Sequence, residues 1–353
     1  MTKLSIIVPV YNVEKYVRPC FESIFRQGLD EETYEVIIIN DGTKDKSMEM
    51  IADIISQHNN ITVINQENQG LSVVRNNGID AAKGEYILMP DSDDMLVDYS
   101  VPFLLEQALS SKADLVVADF AELSNEEVEK LQPGDIKQIE EPKVIEKNGE
   151  ALFMEDLTPY QSYVWRTLFR RQYLIDNNLR FTPGIIFQDV PFVHECYMKA
   201  QKCLRTNWLL NIYRRRKGSA TFTYTLNKSR DFSIAIGKTW ELTHIEGLSP
   251  RILRKYQDDV FTSMSVMLWC TSHTAKNASE REKVIDFFKE QAPDLNLRNN
   301  AKQKITTFFF RRMPHAFIHL RYFYDIFIVD TLLPFYRHKI KSRIKKNHHG
   351  TTD

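Results

Sequence analysis

Four short apolar runs, each followed by a segment with helical periodicity, occupy the first hundred residues of the chain. They begin at Leu4, Tyr34, Ile61 and Glu85. Strands buried on both faces of a sheet have this continuous apolar character, and strands alternating with helices favour parallel pairing. A fifth run begins at Asp114. The pattern predicts an α/β fold, with a doubly wound, mostly parallel sheet flanked by helices.

Helical patterns dominate beyond Thr225, with no strong strand signal. We therefore predict an α/β domain over residues 1–222 and a helical region over residues 223–353. Between the two, residues 122–150 are acidic and poorly periodic, which indicates an exposed excursion of loops and edge strands. A helical hairpin is expected over residues 162–177, and another helix is expected from about Phe187 to Ala200.

The composition is that of a soluble globular protein, with 43% hydrophobic and 26% charged residues. The four cysteines form no CxxC pair, so a zinc site or a disulfide framework is not indicated and a reducing cytoplasm is expected. No uncharged apolar run approaches the ~18 residues of a membrane span. Gly42 and Gly70 form neither a GxGxxG motif nor a phosphate loop with GK[ST], which disfavours a dinucleotide or P-loop site.

A cluster of polar residues follows the fourth apolar run: Asp91, Ser92, Asp93 and Asp94. Ligands of open α/β sheets bind outside the carboxyl ends of the strands. Carboxylates there can hold a divalent cation against an anionic substrate. The alternative is an acidic turn that caps the next helix.

Asp41 follows the second run, and Arg75 lies in the helix after the third. Because these elements share one edge of a parallel sheet, both side chains are expected near the acidic cluster. A nucleotide sugar requires this combination of carboxylates, metal and basic groups. The alternatives are an Asp-Gly turn at Asp41 and a solvated helix face at Arg75.

Asp189 lies about a hundred residues downstream, at the predicted start of a helix and between Phe187 and Phe192. A carboxylate among apolar neighbours has a raised pKa, which suits a general base that accepts a proton from a sugar hydroxyl. The alternative is an aspartate that caps backbone donors. His315 and His319 have the spacing of a metal pair, but no third ligand is evident, and packing is the preferred interpretation.

Four sequence blocks together resemble family 2 glycosyltransferases of the GT-A fold: Ser5–Asn12, Ile39–Thr43, Asn68–Gly78 and Asp91–Asp94. Their order and approximate spacing agree with that family, and the resemblance covers about residues 1–221. It implies a uridine pocket, a nucleotide-sugar contact by a basic side chain, a DxD metal motif for Mg²⁺ or Mn²⁺, and a catalytic base. The implied uridine-pocket residues are Pro9, Tyr11, Asn12 and Asp41. The other implied positions are Arg75 for the nucleotide and its phosphates, Asp91 with Ser92 for the nucleotide sugar at the ribose, Asp93 for the metal, and Asp189 for the base.

Two departures from the family pattern are visible. Gln188 stands where the family has a glutamate beside the base, and Lys44 replaces the more usual threonine of a turn. The segment from Tyr213 to Thr221 resembles the family's closing segment near the diphosphate. No QxxRW motif occurs, so transfer of a single sugar is favoured over polymerisation.

The resemblance therefore implies a metal-dependent, inverting glycosyltransferase. It would use a nucleotide sugar, with UDP as the expected nucleotide, and a saccharide or lipid-linked saccharide acceptor in cell-surface polysaccharide synthesis. One alternative is an inactive nucleotide-sugar-binding module of the same fold, for which Gln188 is the hint. Another is a sugar nucleotidyltransferase, but Pro9–Asn12 occupies the place where a glycine-rich basic loop is expected.

The end of the chain is basic and aromatic. From Lys302 to His349 it carries eleven Lys and Arg residues against two Asp, and ten Phe and Tyr side chains lie between Ile305 and Lys346. Such a segment can lie in the headgroup region of an anionic bilayer, which would place the protein peripherally at the inner face of the cell membrane. The alternative is a helical subdomain packed on the catalytic domain with a solvated basic end, and nucleic acid is not an expected partner.

Overall fold

The structure, a computed structural model, describes residues 2–157, 162–216 and 225–332. Two compact units divide the chain, Met1–Phe222 and Thr223–Asp353. The catalytic role that the sequence predicts for the first part stays a prediction. The first unit is α/β, and the described residues of the second unit are helical.

One mixed sheet of nine strands forms the centre of the first unit. The order of the strands across it is β3-β2-β1-β4-β8-β6-β9-β5, and β7 pairs with β9. The strands are β1 Leu4–Val10, β2 Tyr34–Asn40, β3 Ile61–Asn65, β4 Tyr86–Leu88, β5 Met95–Leu96, β6 Leu115–Ser124, β7 Val144–Lys147, β8 Thr167–Arg170 and β9 Cys203–Arg215.

The sheet has one half that is entirely parallel and one half that is mixed. Strands β3, β2, β1 and β4 run parallel, as do β6 and β9. The pairs β4/β8, β6/β8, β5/β9 and β7/β9 are antiparallel. The α/β class is therefore confirmed. Parallel pairing joins β3, β2, β1 and β4 and also joins β6 to β9, and the second half of the sheet adds the antiparallel pairs.

Strand β1 is completely buried, and the residues at its carboxyl end line the cleft described below. It pairs with β2 along its whole length, but its pairing with β4 extends only from Leu4 to Ile6. Pro9 lies beyond that short pairing, so its missing N–H breaks no ladder hydrogen bond to β4. The strand consequently runs through Pro9 to Val10 and does not end before the proline.

Helices pack on the sheet around a core made largely of the apolar runs of the sequence. The helical segments predicted after the apolar runs are present after β1, β2 and β3, and the helix that follows the fourth run begins after the short strand β5. The helices of this unit are α1 Val17–Phe25, α2 Ala52–Gln57, α3 Leu71–Ala81, α4 Val101–Ser111, α5 Asn125–Val128, α6 Gly149–Glu155, α7 Arg171–Asp176 and α8 Asp189–Lys199.

Two parts of the sequence interpretation are wrong. The helical hairpin expected over residues 162–177 is instead the internal strand β8 followed by the short helix α7, and β9 was not predicted. Thr167–Arg170 is too short for periodicity to distinguish a strand from a helix. Strand β9 pairs with β6 from Cys203 to Arg215, with β7 at its start and with β5 near its end.

The acidic stretch 122–150 matches its description as an excursion with an edge strand, since β7 is largely exposed and pairs with β9. At the end of this stretch, helix α6 packs closely against α8. A Cβ atom on Gly149 would lie 1.8 Å from the carbonyl oxygen of Tyr197. Only glycine therefore permits this approach, which holds the helix that begins at Asp189.

The described part of the second unit consists of helices around a separate core. None of its described helices is both long enough and apolar enough to cross a bilayer. His315 and His319 pair with Asp286 and Glu282, two carboxylates of the same unit. The helices are α9 Leu226–Glu241, α10 Pro250–Thr274, α11 Ala278–Gln291, α12 Ala301–Arg312 and α13 Pro314–Phe323, followed by π-helical turns over Tyr324–Leu332.

Candidate active site

A cleft of about 490 Å³ lies at the carboxyl ends of β1, β2 and β4, between α3 and the start of α8. It collects nearly all of the site residues that the sequence predicts. The predicted residues that line it are Pro9, Tyr11, Asp41, Arg75, Asp91, Ser92, Asp93 and Asp189. Asn12 is not among the lining residues, because its side-chain oxygen accepts a hydrogen bond from the Lys44 amide at 3.2 Å.

Asp41 organises the loop that enters α3. One carboxylate oxygen accepts hydrogen bonds from Gln66 Nε2 at 2.8 Å and from the Gln69 amide at 2.9 Å. The other accepts from Asn68 Nδ2 and the Gly70 amide, both at 3.0 Å. Asp41 is buried, and four donors occupy its two oxygens. Its carboxylate therefore shapes this wall of the cleft by holding the loop.

The acidic cluster after β4 presents three carboxylates whose nearest ligand atoms all lie within 4.8 Å of one another. Burial raises the pKa of Asp91, and Asp93 raises it further, while Arg75 opposes the shift. Burial and the neighbouring Asp93 and Asp91 charges also raise the pKa of Asp94. Three hard oxygen donors under mutual repulsion are a donor set that suits Mg²⁺ or Mn²⁺, since a divalent cation removes the repulsion.

Each of these carboxylates also has its own protein partner. Arg75 Nη2 donates to Asp91 Oδ1 at 2.5 Å, and the backbone amide of Arg214 donates to Asp94 Oδ1 at 2.8 Å. Arg216 donates through Nε and Nη2 to Asp93 Oδ2, at 3.0 and 2.7 Å. Asp94 therefore supports the loop by tying it to β9, whereas Asp93 holds a cationic side chain.

Arg75 is buried and joins two sides of the cleft. Besides Asp91, it donates through Nη1 to Gln188 Oε1 at 3.2 Å, and its guanidinium lies 5.4 Å from the ring centre of Phe181. Asn76, the next residue of α3, makes two reciprocal hydrogen bonds of 2.9 Å with the backbone of Phe181. These contacts attach the segment before α8 to α3 and so set the position of Asp189.

Asp189 is the first residue of α8 and is partly buried. Burial raises its pKa to about 6, with Arg75 opposing the shift and Asp91 adding to it. Its Oδ1 accepts a hydrogen bond from the Val190 amide at 3.1 Å. At neutral pH the group is mostly ionised but remains far more basic than an ordinary aspartate, which are the properties of a general base.

Two arginines at the end of β9 converge on one aromatic ring. The guanidinium groups of Arg214 and Arg216 lie 5.1 and 4.6 Å from the ring centre of Tyr16. Arg214 also donates to the Asp93 carbonyl at 3.1 Å. The sequence had placed both arginines in a segment near the diphosphate; the remainder of that segment, Lys217–Thr221, lies outside the described residues.

An aromatic wall of the cleft was not predicted. Tyr163 stacks on Trp165 with ring centres 4.7 Å apart, and Tyr213 lies 5.6 Å from Trp165. All three line the cleft that contains Asp189. The stack combines residues from a loop and from β9, and no spacing in the sequence indicates that they meet. Flat apolar faces beside a polar group are suited to a sugar ring.

Solved structures share this architecture. The structure of Staphylococcus aureus TarS 1–349 in complex with UDP has a TM-score of 0.70 at 17% identity and covers 92% of this chain and 91% of that one. The complex of the same protein with UDP-GlcNAc has a TM-score of 0.66 at 16% identity. At this identity the likeness shows the fold, and it confirms the predicted GT-A fold class.

The contacts of Asp41 lead to a stability prediction. In Asp41→Asn an NH₂ group replaces one carboxylate oxygen, so the two donors that bind that oxygen in the wild type lose their acceptor. We expect the substitution to lower the free energy of unfolding by about 1–3 kcal/mol. Urea denaturation measures the loss. The control is Asp53→Asn, since that exposed carboxylate pairs with Arg18 at the surface, where solvent screens the pair and a much smaller loss is expected. Equal losses in the two variants would contradict the structural role of Asp41.

Sequence comparisons identify the family. The profile described as Glycosyl transferase family 2 matches residues 5–173. The uncharacterised glycosyltransferase EpsJ of Bacillus subtilis is 37% identical over 221 residues, which are 62% of this chain and 62% of EpsJ. Glycosyltransferase GlyG of Streptococcus pneumoniae is 30% identical over 274 residues, 71% of this chain and 84% of GlyG. The chain belongs to glycosyl transferase family 2.

Proposed function

We propose that this protein is an inverting glycosyltransferase that moves a single sugar from a UDP-sugar to a saccharide or lipid-linked saccharide acceptor in cell-surface polysaccharide synthesis. The observation that carries the proposal is one cleft with Asp189 on one side and the Asp91–Asp94 carboxylates on the other. TarS, whose structures contain UDP and UDP-GlcNAc, supports the nucleotide. Membership of a glycosyltransferase family counts against the nucleotidyltransferase alternative.

The donor half of the site would be formed by the ends of β1 and β2. In this proposal Pro9 and Tyr11 contact the uracil, and the loop held by Asp41 supplies the facing wall. Asn12 does not line the cleft, and its side-chain oxygen accepts a hydrogen bond from the Lys44 amide and so holds the turn at Lys44. Arg75 and Asp91 together face the ribose and the adjacent phosphate, and Ser92 follows in the same loop.

The metal site would be centred on Asp93, with Asp91 and Asp94 close enough to add oxygen ligands. The fit rests on the donor set, because three carboxylates that repel one another gain from a divalent cation. When bound, Mg²⁺ or Mn²⁺ neutralises negative charge that develops on the departing diphosphate. Arg216, which now occupies Asp93 Oδ2, would release that oxygen and turn to the diphosphate.

Asp189 would perform the proton transfer. Its carboxylate accepts the proton of the acceptor hydroxyl as that oxygen attacks the anomeric carbon. The new glycosidic bond forms on the face opposite the nucleotide, while the bond between the anomeric carbon and the diphosphate oxygen breaks and its electrons leave with UDP. The anomeric configuration is therefore inverted. Gln188 is a neutral neighbour that engages Arg75, so no second carboxylate at this position adds to the pKa shift of Asp189.

Release of UDP tests the proposed activity and separates it from an inactive binding module. The full chain with a panel of UDP-sugars, Mn²⁺ and candidate acceptors is expected to release UDP, and EDTA is expected to stop the release. Asp93→Ala should behave as EDTA does. Binding of UDP without release for any donor and acceptor would support the module, and transfer that persists in EDTA would exclude the metal.

Replacing the base gives a second prediction. Asp189→Asn keeps the shape of the side chain but removes the proton acceptor, so turnover should fall by about 10²–10⁴-fold with UDP affinity retained. Asp176→Asn, an exposed aspartate at the end of α7, is the matched control and should keep wild-type turnover. Near-normal turnover in Asp189→Asn would remove Asp189 from the role.

The same group sets a pH dependence. Because burial raises the Asp189 pKa to about 6, the carboxylate takes up its proton as the pH falls through that value. We expect kcat/KM to level off above about pH 7 and to fall about tenfold per pH unit well below 6. An acidic limb near pH 4 in kcat/KM would indicate a base with an ordinary carboxylate pKa.

The contact between Arg216 and Asp93 leads to a prediction about metal affinity. Arg216→Gln removes the cation that competes for Asp93, and Mn²⁺ should bind the nucleotide-free protein about two- to fivefold more tightly. Affinity for UDP with Mn²⁺ should decrease, since the diphosphate loses a cationic partner. Arg215→Gln is the control, because the neighbouring Arg215 pairs with Glu122. Titration calorimetry measures both affinities, and unchanged Mn²⁺ binding in Arg216→Gln would contradict the exchange.

We also propose that the protein associates peripherally with the anionic inner face of the cell membrane. Support comes from large apolar side chains that are about half or more exposed in the second unit, among them Leu320, Phe323 and Phe327. The predicted contributions of Phe335, Tyr336 and the basic residues up to Lys346 lie outside the described residues. Truncation near Asn300 would remove Phe310 and Ile318 from the core of this unit, so point substitutions are the appropriate test.

A further inference from the structure

A basic cleft of about 630 Å³ lies in the second unit, beside α12. Its charged lining residues are all cations: Arg298, Lys304, Arg311 and Arg312. The other residues that line it are Asn296, Leu297, Thr307 and Phe308, so the described lining contains no carboxylate. A concave site with four positive charges and no acid is chemically suited to a phosphate-bearing ligand.

The cleft uses the face of α12 that is turned away from the core. Gln303, Thr307 and Phe310 form the buried side of the helix. Lys304, Phe308 and Arg311 follow at i, i+4 and i+7 on the exposed side, next to Arg312 and Ile305. Phe308 and Ile305 are 58% and 57% exposed. The helix face therefore combines cations with bare apolar surface.

The cations of the cleft differ from other cations of the same unit. Lys238, Lys255 and Arg321 are each paired with a carboxylate three or four residues away. Among the described residues 225–332, no carboxylate forms an ion pair with any of the four cations of the cleft. Mutual repulsion of four unpaired cations is relieved when an anion binds, so the charge arrangement itself favours an anionic occupant.

We propose that this basic cleft binds the phosphate groups of anionic membrane lipids, with Phe308 and Ile305 inserted at the boundary between headgroups and acyl chains. The inference rests on the proposed membrane association and gives it a site. Charge complementarity selects the phosphate, and the exposed apolar side chains select a lipid surface over a soluble phosphate. The occupant is thus a phospholipid headgroup.

Vesicle binding tests the proposal on the full chain. The protein should bind vesicles that contain phosphatidylglycerol and should not bind vesicles of phosphatidylcholine alone, and binding should weaken as salt is added. The triple variant Lys304→Gln, Arg311→Gln, Arg312→Gln should lose about fivefold in vesicle affinity for each cation removed. Phe308→Ser should weaken vesicle binding equally at low and high salt.

The matched control removes three exposed cations of the same unit that do not line the cleft, Arg251→Gln, Arg254→Gln and Lys276→Gln. It should bind vesicles as the wild type does, and all variants should retain the wild-type unfolding midpoint. Equal loss in the two triple variants would overturn the cleft in favour of overall charge. Saturable binding of glycerol 3-phosphate without vesicles, lost in the cleft variant, would overturn the lipid as occupant. Absence of vesicle binding by the wild type would overturn both membrane proposals while leaving UDP release, measured without vesicles, as the separate test of the transferase.

Discussion

The buried guanidinium of Arg75 is the interaction on which the site depends. It contacts Asp91, at the end of β4, and Gln188, immediately before α8. More than ninety residues separate these two segments in the chain, and different elements of the fold bring them to the cleft. A buried cation that lost its carboxylate partner would cost several kcal/mol. The loop of Asp91 and the start of α8 are therefore held together by a contact that is costly to break.

The same contact distributes charge across the cleft. Arg75 stabilises the ionised forms of both Asp91 and Asp189, while Asp91 destabilises the ionised form of Asp189. The neutral amide of Gln188 satisfies one edge of the guanidinium without adding a further negative charge. Because position 188 carries this amide and not a carboxylate, Asp189 has one acidic neighbour fewer, and burial is the main reason for the raised pKa of Asp189.

The parts of the fold that were predictable from the sequence are those in which one local signal determines the outcome. The apolar runs at Leu4 and Tyr34 are strands that are buried on both faces, and the run at Ile61 is the partly exposed strand at the end of the sheet. The polar residues that follow these parallel strands therefore share an edge. Strand β8 was missed because four residues carry no periodicity. Strand β9 was missed because Arg205, Thr206 and Asn207 interrupt its apolar residues, so it presents no continuous apolar run. The aromatic wall depends on both, so Tyr163, Trp165 and Tyr213 could not be associated before the sheet was known.

The ring of Tyr16 orders an arginine side chain before any ligand binds. The guanidinium groups of Arg214 and Arg216 both pack on this ring. Arg214 is buried, and Arg216 donates to Asp93. A long arginine side chain ordinarily loses rotamer entropy when it is immobilised on a ligand. Arg216 has already lost much of that freedom against an aromatic surface. A diphosphate would thus meet a pre-ordered cation, and the entropic cost of recruiting it is borne during folding of the chain.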